Sequence, residues 1–147
     1  MIGPNPLELR KLLGQHRVIV RLAVHLNGLS ACIRTRRDAQ ECRLEMDRLD
    51  RVLARHLAHE DKLVMPRLID SADPKTRALA QDCVEEMGSV AQLWRLYIEQ
   101  WTVEAIQGAS DRFAAATRVL TQVIVRRVER EERYLYPSAM AAGDTAA

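Results

Sequence analysis

The sequence predicts an all-α fold, an antiparallel up-down four-helix bundle, and three observations carry that expectation. The composition is 48% hydrophobic and 29% charged but only 4% aromatic, with six Gly and five Pro. That balance favours helices over the turn-rich, aromatic-rich chemistry of strands. Apolar residues recur at three- and four-residue intervals over long stretches, which is the period of a helix with one inward face. Short segments with helix-starting or helix-breaking residues part the stretches, and helices of about 25 to 30 residues joined that way have one economical packing. At 147 residues the chain is expected to form one domain over 1–147, large enough to bury a core without disulfides or structural metal.

Helix 1 is expected over 6–29. Asn5 can cap the free N–H groups and Pro6 tolerates the first helical position. Its inward stripe is Leu9, Leu12, Ile19, Ala23 and Leu26, and the same spacing takes in His16. Helix 2, over 38–71, presents Cys42, Met46, Leu49, Leu53, His56, Glu60 and Leu63 on one face. Asp73-Pro74 repeats the cap-then-proline signal and opens helix 3 over 74–107, with Leu79, Cys83, Met87, Val90, Trp94, Tyr97 and Trp101 inward. Gly108 to Ser110 ends it. Helix 4, over 110–140, turns Phe113, Leu120, Ile124, Arg127, Glu131 and Leu135 inward, and Ala141 to Ala147 reads as a frayed tail.

Several function classes drop out on composition. A net charge of +2 is too mild for a nucleic-acid partner, and Arg34, Arg36 and Arg37 read as solvated surface. Met1 to Pro6 lacks a basic run leading into an apolar one, and no stretch approaches about 18 uninterrupted apolar residues. No membrane partner is expected, and a cytoplasmic protein is. Cys32, Cys42 and Cys83 are odd in number without CxxC spacing, so they read as small core residues rather than a disulfide framework or a thiolate zinc site. No Ser or Cys is paired by spacing with a base, so no catalytic residue is indicated.

The informative feature is polar residues on stripes that should be apolar. His16, His56, Glu60, Arg127 and Glu131 all fall there. Burying a lone carboxylate is very costly, so two of them need a cation, a proton or a set of donors nearby. His56 and Glu60 lie four apart, about 40° around a helix, so both can point at one ion from adjacent turns. His25, about 180° around the helix from His16, should face away, and His59 is offset from the Glu60 face. Met87, Trp94 and Trp101 read as packing residues.

Helices 2 and 4 also echo one another. His56-Leu-Ala-His-Glu60-Asp61-Lys-Leu-Val-Met65-Pro66 aligns without gaps on Arg127-Val-Glu-Arg-Glu131-Glu132-Arg-Tyr-Leu-Tyr136-Pro137. Both have the form X-x-x-x-Glu-acid-x-x-apolar-apolar-Pro. Over about residues 7 to 140 the pattern resembles the hemerythrin-like (HHE cation-binding) family, whose members carry a His on helix 1, HxxxE-acid on helix 2, a His on helix 3 and HxxxE on helix 4. The resemblance implies metal ligands at His16, His56, Glu60 and Glu131. Where the family has its other two histidines, this chain has Met87 and Arg127. It therefore resembles the family in keeping one metal's terminal ligands and both bridging carboxylates, and it departs by losing the other metal's histidines as a set. That departure argues against reversible dioxygen binding, which the family associates with two irons.

A fixed guanidinium at Arg127 could replace the second cation electrostatically. The expectation is a mononuclear site for one divalent ion, iron or zinc, used in metal handling or in oxygen or redox sensing, with Tyr97 and Tyr134 as neighbours if oxygen chemistry occurs there. A second reading has no ion: Arg127, Glu60 and Glu131 form a buried ion-pair network, His16 and His56 are hydrogen-bonded core residues, and the bundle serves as an interaction or regulatory module with a homodimer or protein partner.

Overall fold

The computed structural model describes residues 4–144. Seven α-helical segments and one π segment follow in order among them: α1 (Pro6–Ser30), α2 (Arg36–Leu63), α3 (Met65–Ile69), α4 (Pro74–Gln100), α5 (Val103–Gly108), α6 (Ser110–Arg130), the π segment (Glu131–Leu135) and α7 (Tyr136–Asp144). The all-α expectation holds, but three of the four expected helices are interrupted. Val64 parts α2 from α3, because Pro66 has no N–H to give the carbonyl of Lys62. Expected helix 3 breaks at Trp101-Thr102, where the Thr102 hydroxyl caps a new helix by accepting from Ala105 N–H at 3.2 Å. Expected helix 4 passes through the π segment, in which Tyr136 N–H donates to Glu131 C=O, one residue beyond the α pattern, just before Pro137. Helix α7 covers part of the stretch read as a frayed tail, and 145–147 lie outside the described residues.

Starts follow the capping signals. Asn5 and Glu8 form a reciprocal box, Glu8 N–H donating to Asn5 Oδ1 at 2.9 Å and Asn5 N–H to Glu8 Oε2 at 2.8 Å. Thr35 and Asp38 do the same for α2, and Asp73 accepts from the N–H groups of Lys75 and Thr76 at the head of α4.

Contacts between helices give the directions. His16 meets His56 while His25 meets Glu45, so α1 and α2 run antiparallel. Trp94 meets Asp50 while Arg43 reaches Ile98 and Trp101, so α4 runs against α2. Glu86 meets Arg130 while Tyr97 meets Thr117, so α6 runs against α4.

The core is in two parts. The larger is built from Ile19 to Leu26, Ala39 to Leu49, Trp94 to Trp101, Ile106 and Phe113 to Val128. The smaller joins Leu12, Val64 to Leu68, Ala80, Cys83 and Leu135 to Ala139. Between them, along each chain segment, lie His16, His56, Glu60 and Glu131. Cys42 and Cys83 are buried as expected, whereas Cys32 is exposed in the turn after α1, and all three thiols are free. Among the described residues no helix is long and apolar enough to cross a membrane.

Candidate metal centre

One ligand atom from each of His16, His56, Glu60 and Glu131 lies within 4.8 Å of the others, and all four side chains are buried. Helices α1 and α2 supply the imidazoles and Glu60. Glu131 comes from the first residue of the π segment, where the widened turn sets the carboxylate and Tyr136 toward the same layer.

Outer hydrogen bonds fix which imidazole nitrogens face inward. His16 Nδ1–H donates to Glu132 Oε1 at 2.9 Å, and His56 Nδ1–H donates to Gln15 Oε1 at 2.9 Å. The Gln15 amide nitrogen in turn donates to His59 Nδ1 at 2.6 Å, so His59 lies outside the ligand group but braces it. A neutral imidazole with hydrogen on Nδ1 offers a bare Nε2. The two Nε2 atoms are 3.0 Å apart, and His16 Nε2 is 2.7 Å from Glu131 Oε2. Two nitrogens bound to one ion at about 2.0–2.1 Å, with an angle near 90–109° between them, would be separated by about 2.8–3.4 Å.

Lone pairs in this layer outnumber the protons available to them. Tyr136 O–H donates to Glu60 Oε1 at 2.9 Å, and Arg127 Nε–H donates to Glu131 Oε1 at 2.9 Å. Those two hydrogens leave both Nε2 atoms and Glu131 Oε2 facing one another, an arrangement that calls for a proton or a metal cation among them. The acceptor set of two imidazoles and carboxylate oxygens therefore fits a metal ion. The outer Glu132 and Gln15 supply the orienting hydrogen bonds that metal-bound histidines ordinarily have.

Among the protein's own groups the electrostatics are divided unevenly. Burial disfavours the His56 imidazolium, but hydrogen bonds to Glu131 and Glu60 outweigh it and raise its pKa to about 9. Burial lifts the Glu60 carboxyl above its usual range, with His56 opposing and the charge on Glu131 adding to the rise. Burial pushes Glu131 the same way, yet hydrogen bonds with His16, His56 and Glu60 and the Arg127 charge hold it well below the usual range. One acid is favoured as the anion and its neighbour as the neutral form.

Some expectations need correction. Tyr97 and Tyr134 are not neighbours of the centre: Tyr97 bonds Thr117 at 2.7 Å inside the larger core, and Tyr134 is 53% exposed. The tyrosine at the centre is Tyr136, stacked on His16 with ring centroids 5.3 Å apart. The sequence pattern takes it only as the apolar residue before Pro137, although its phenol and its place in the echo distinguish it. His25 is exposed as expected, but it also pairs with Glu45, a buried acid that the inward stripe of α2 did not include. Trp94 and Trp101 are buried packing residues, and Met87 is half-buried and lines the same cavity as Arg127.

Compared with known families, residues 8–139 match the hemerythrin HHE cation binding domain. The chain belongs to the hemerythrin HHE cation-binding family. Neither the curated proteins nor the solved structures give a match. Within this HHE chain the buried His/Glu group could hold a metal ion, and the residue four before Glu131 is Arg127, on α6.

Proposed function

We propose that this HHE chain holds one divalent ion, iron or zinc, on His16, His56, Glu60 and Glu131, and that Arg127 stands where a second cation would sit. The supporting observation is the pair of inward-facing Nε2 atoms 3.0 Å apart beside two buried carboxylates. When bound, iron would supply redox chemistry and zinc Lewis acidity. The protein's own residues orient the imidazoles and direct the Tyr136 hydroxyl hydrogen to Glu60. The reading is metal handling or oxygen or redox sensing in the cytoplasm.

Elemental analysis of protein purified without chelator from metal-supplemented cells should find about one ion per chain, and His56→Ala should remove most of it. An absence of stoichiometric metal, or metal content indifferent to His56→Ala, would end this reading. A second reading draws on the raised pKa of His56. Protons on His56 and Glu60, with the Arg127 charge, would compensate the layer without an ion, leaving a metal-free bundle that acts through a homodimer or protein partner. The same metal analysis separates the two.

A further inference from the structure

Helix α4 leaves a gap at the level of the polar layer. Its buried residues stop at Cys83 and resume at Trp94, with Met87, Val90 and Ala91 only half-buried between them. A cavity of about 400 Å³ opens there between α2, α4 and α6. Its walls are chiefly apolar, with Leu53, Leu57, Val90, Trp94 and Ile124 among them, and its inner end reaches His56, Arg127 and Glu131. At about 30 Å³ per water, that space would hold roughly 13 waters, the small end of the range for ligand pockets.

Arg127 gives the inner end its chemistry. The residue is 6% exposed, and although Nε is engaged by Glu131, neither Nη1 nor Nη2 has a hydrogen-bond partner. The next acid, Glu86, stands 3.8 Å from Nη1 with the same oxygen held by Arg130. A buried guanidinium with its end-on fork unpaired is costly unless acceptors reach it, and the fork matches the two oxygens of a carboxylate. One cationic group flanked by Glu131 and Glu86 suits a monoanion better than a dianion.

We propose that this cavity binds a small aliphatic monocarboxylate, its carboxylate on Arg127 Nη1 and Nη2 and its hydrocarbon tail between α2, α4 and α6. The site stands on Arg127 and the cavity, so it does not depend on whether the neighbouring centre holds an ion.

Octanoate and 1-octanol are titrated into the protein as purified, by calorimetry and by tryptophan fluorescence, with metal content read on the same samples. Octanoate should bind saturably, one per chain, at least about tenfold more tightly than 1-octanol, the difference being the charged hydrogen bonds. Arg127→Met should weaken octanoate at least about tenfold and leave 1-octanol nearly unchanged. Ala91→Phe narrows the cavity with Arg127 in place and should weaken both. It decides the matter if Arg127→Met does not fold, as checked by circular dichroism. The site is overturned if octanoate shows no saturable binding, if both probes bind alike, if Arg127→Met binds octanoate as well as the parent protein, or if Ala91→Phe changes nothing.

Discussion

On α2 the residue four before the buried carboxylate is His56, and on α6 it is Arg127. Both reach the acid one turn on: His56 Nε2 lies 3.4 Å from Glu60 Oε1, and Arg127 Nε lies 2.9 Å from Glu131 Oε1. Both limbs are interrupted soon after, α2 at Val64 before Pro66 and α6 in the π segment before Pro137. The limbs thus share a backbone device and differ in one cation. A neutral imidazole can lend its lone pair to an ion and can take or release a proton, whereas a guanidinium does neither. The α2 limb therefore leaves its compensation open to an ion, and the α6 limb carries its own.

The largest expected effect comes from removing the fixed charge. Arg127→Met leaves Glu131 buried with its guanidinium gone, and breaking such a pair costs about 3–5 kcal/mol, or roughly 10 °C in melting temperature. Thermal melts of chelator-treated protein measure it. A loss below about 1 kcal/mol would mean that Glu131 draws its compensation from the histidines alone, and the contrast between the limbs would fail.

The histidine limb is tested next through the groups that orient it. Glu132→Ala frees His16 Nδ1 and Gln15→Ala frees His56 Nδ1. Each should weaken ion binding about 10- to 100-fold in a chelator competition, the usual consequence of losing an orienting partner. Equal affinity in both variants and the parent would show that the rings need no bracing. Tyr136→Phe acts on the same layer by removing the hydrogen that Glu60 Oε1 accepts. Its expected cost is about 1–2 kcal/mol by thermal melt, with the bundle otherwise intact.

How far the sequence carried depends on what kind of rule was at work. Asn5-Pro6 and Asp73-Pro74 start helices as expected because a cap is settled within one turn. His16, His56, Glu60, Arg127 and Glu131 come together because helical spacing fixes a face, and a polar residue there is conspicuous. The interruptions at Val64 and at Trp101-Thr102 are not visible in the periodicity, since the inward stripe resumes after a break of one or two residues. Tyr136 was missed for a related reason: the π segment inserts one residue before it, so its direction cannot be counted from an α period. Gln15 and Glu132 flank inward residues and reach back along the helix surface, which periodicity does not register.

The smallest effect is the most discriminating control on the first. Arg130 lies three residues after Arg127 on α6 and pairs with Glu86, the acid that Arg127 approaches at 3.8 Å. Its side chain, however, is 40% exposed, against 7% for Arg127. Water and salt can replace most of what Arg130 gives Glu86, so Arg130→Ala should cost less than about 1 kcal/mol and less still at high ionic strength. Arg127→Met should keep nearly all of its cost in salt, because its partner Glu131 is 3% exposed. Paired melts at low and high salt measure the difference directly. If the two substitutions cost the same and fade together in salt, burial is not what distinguishes the α6 limb, and Arg127 is a surface charge that happens to point inward.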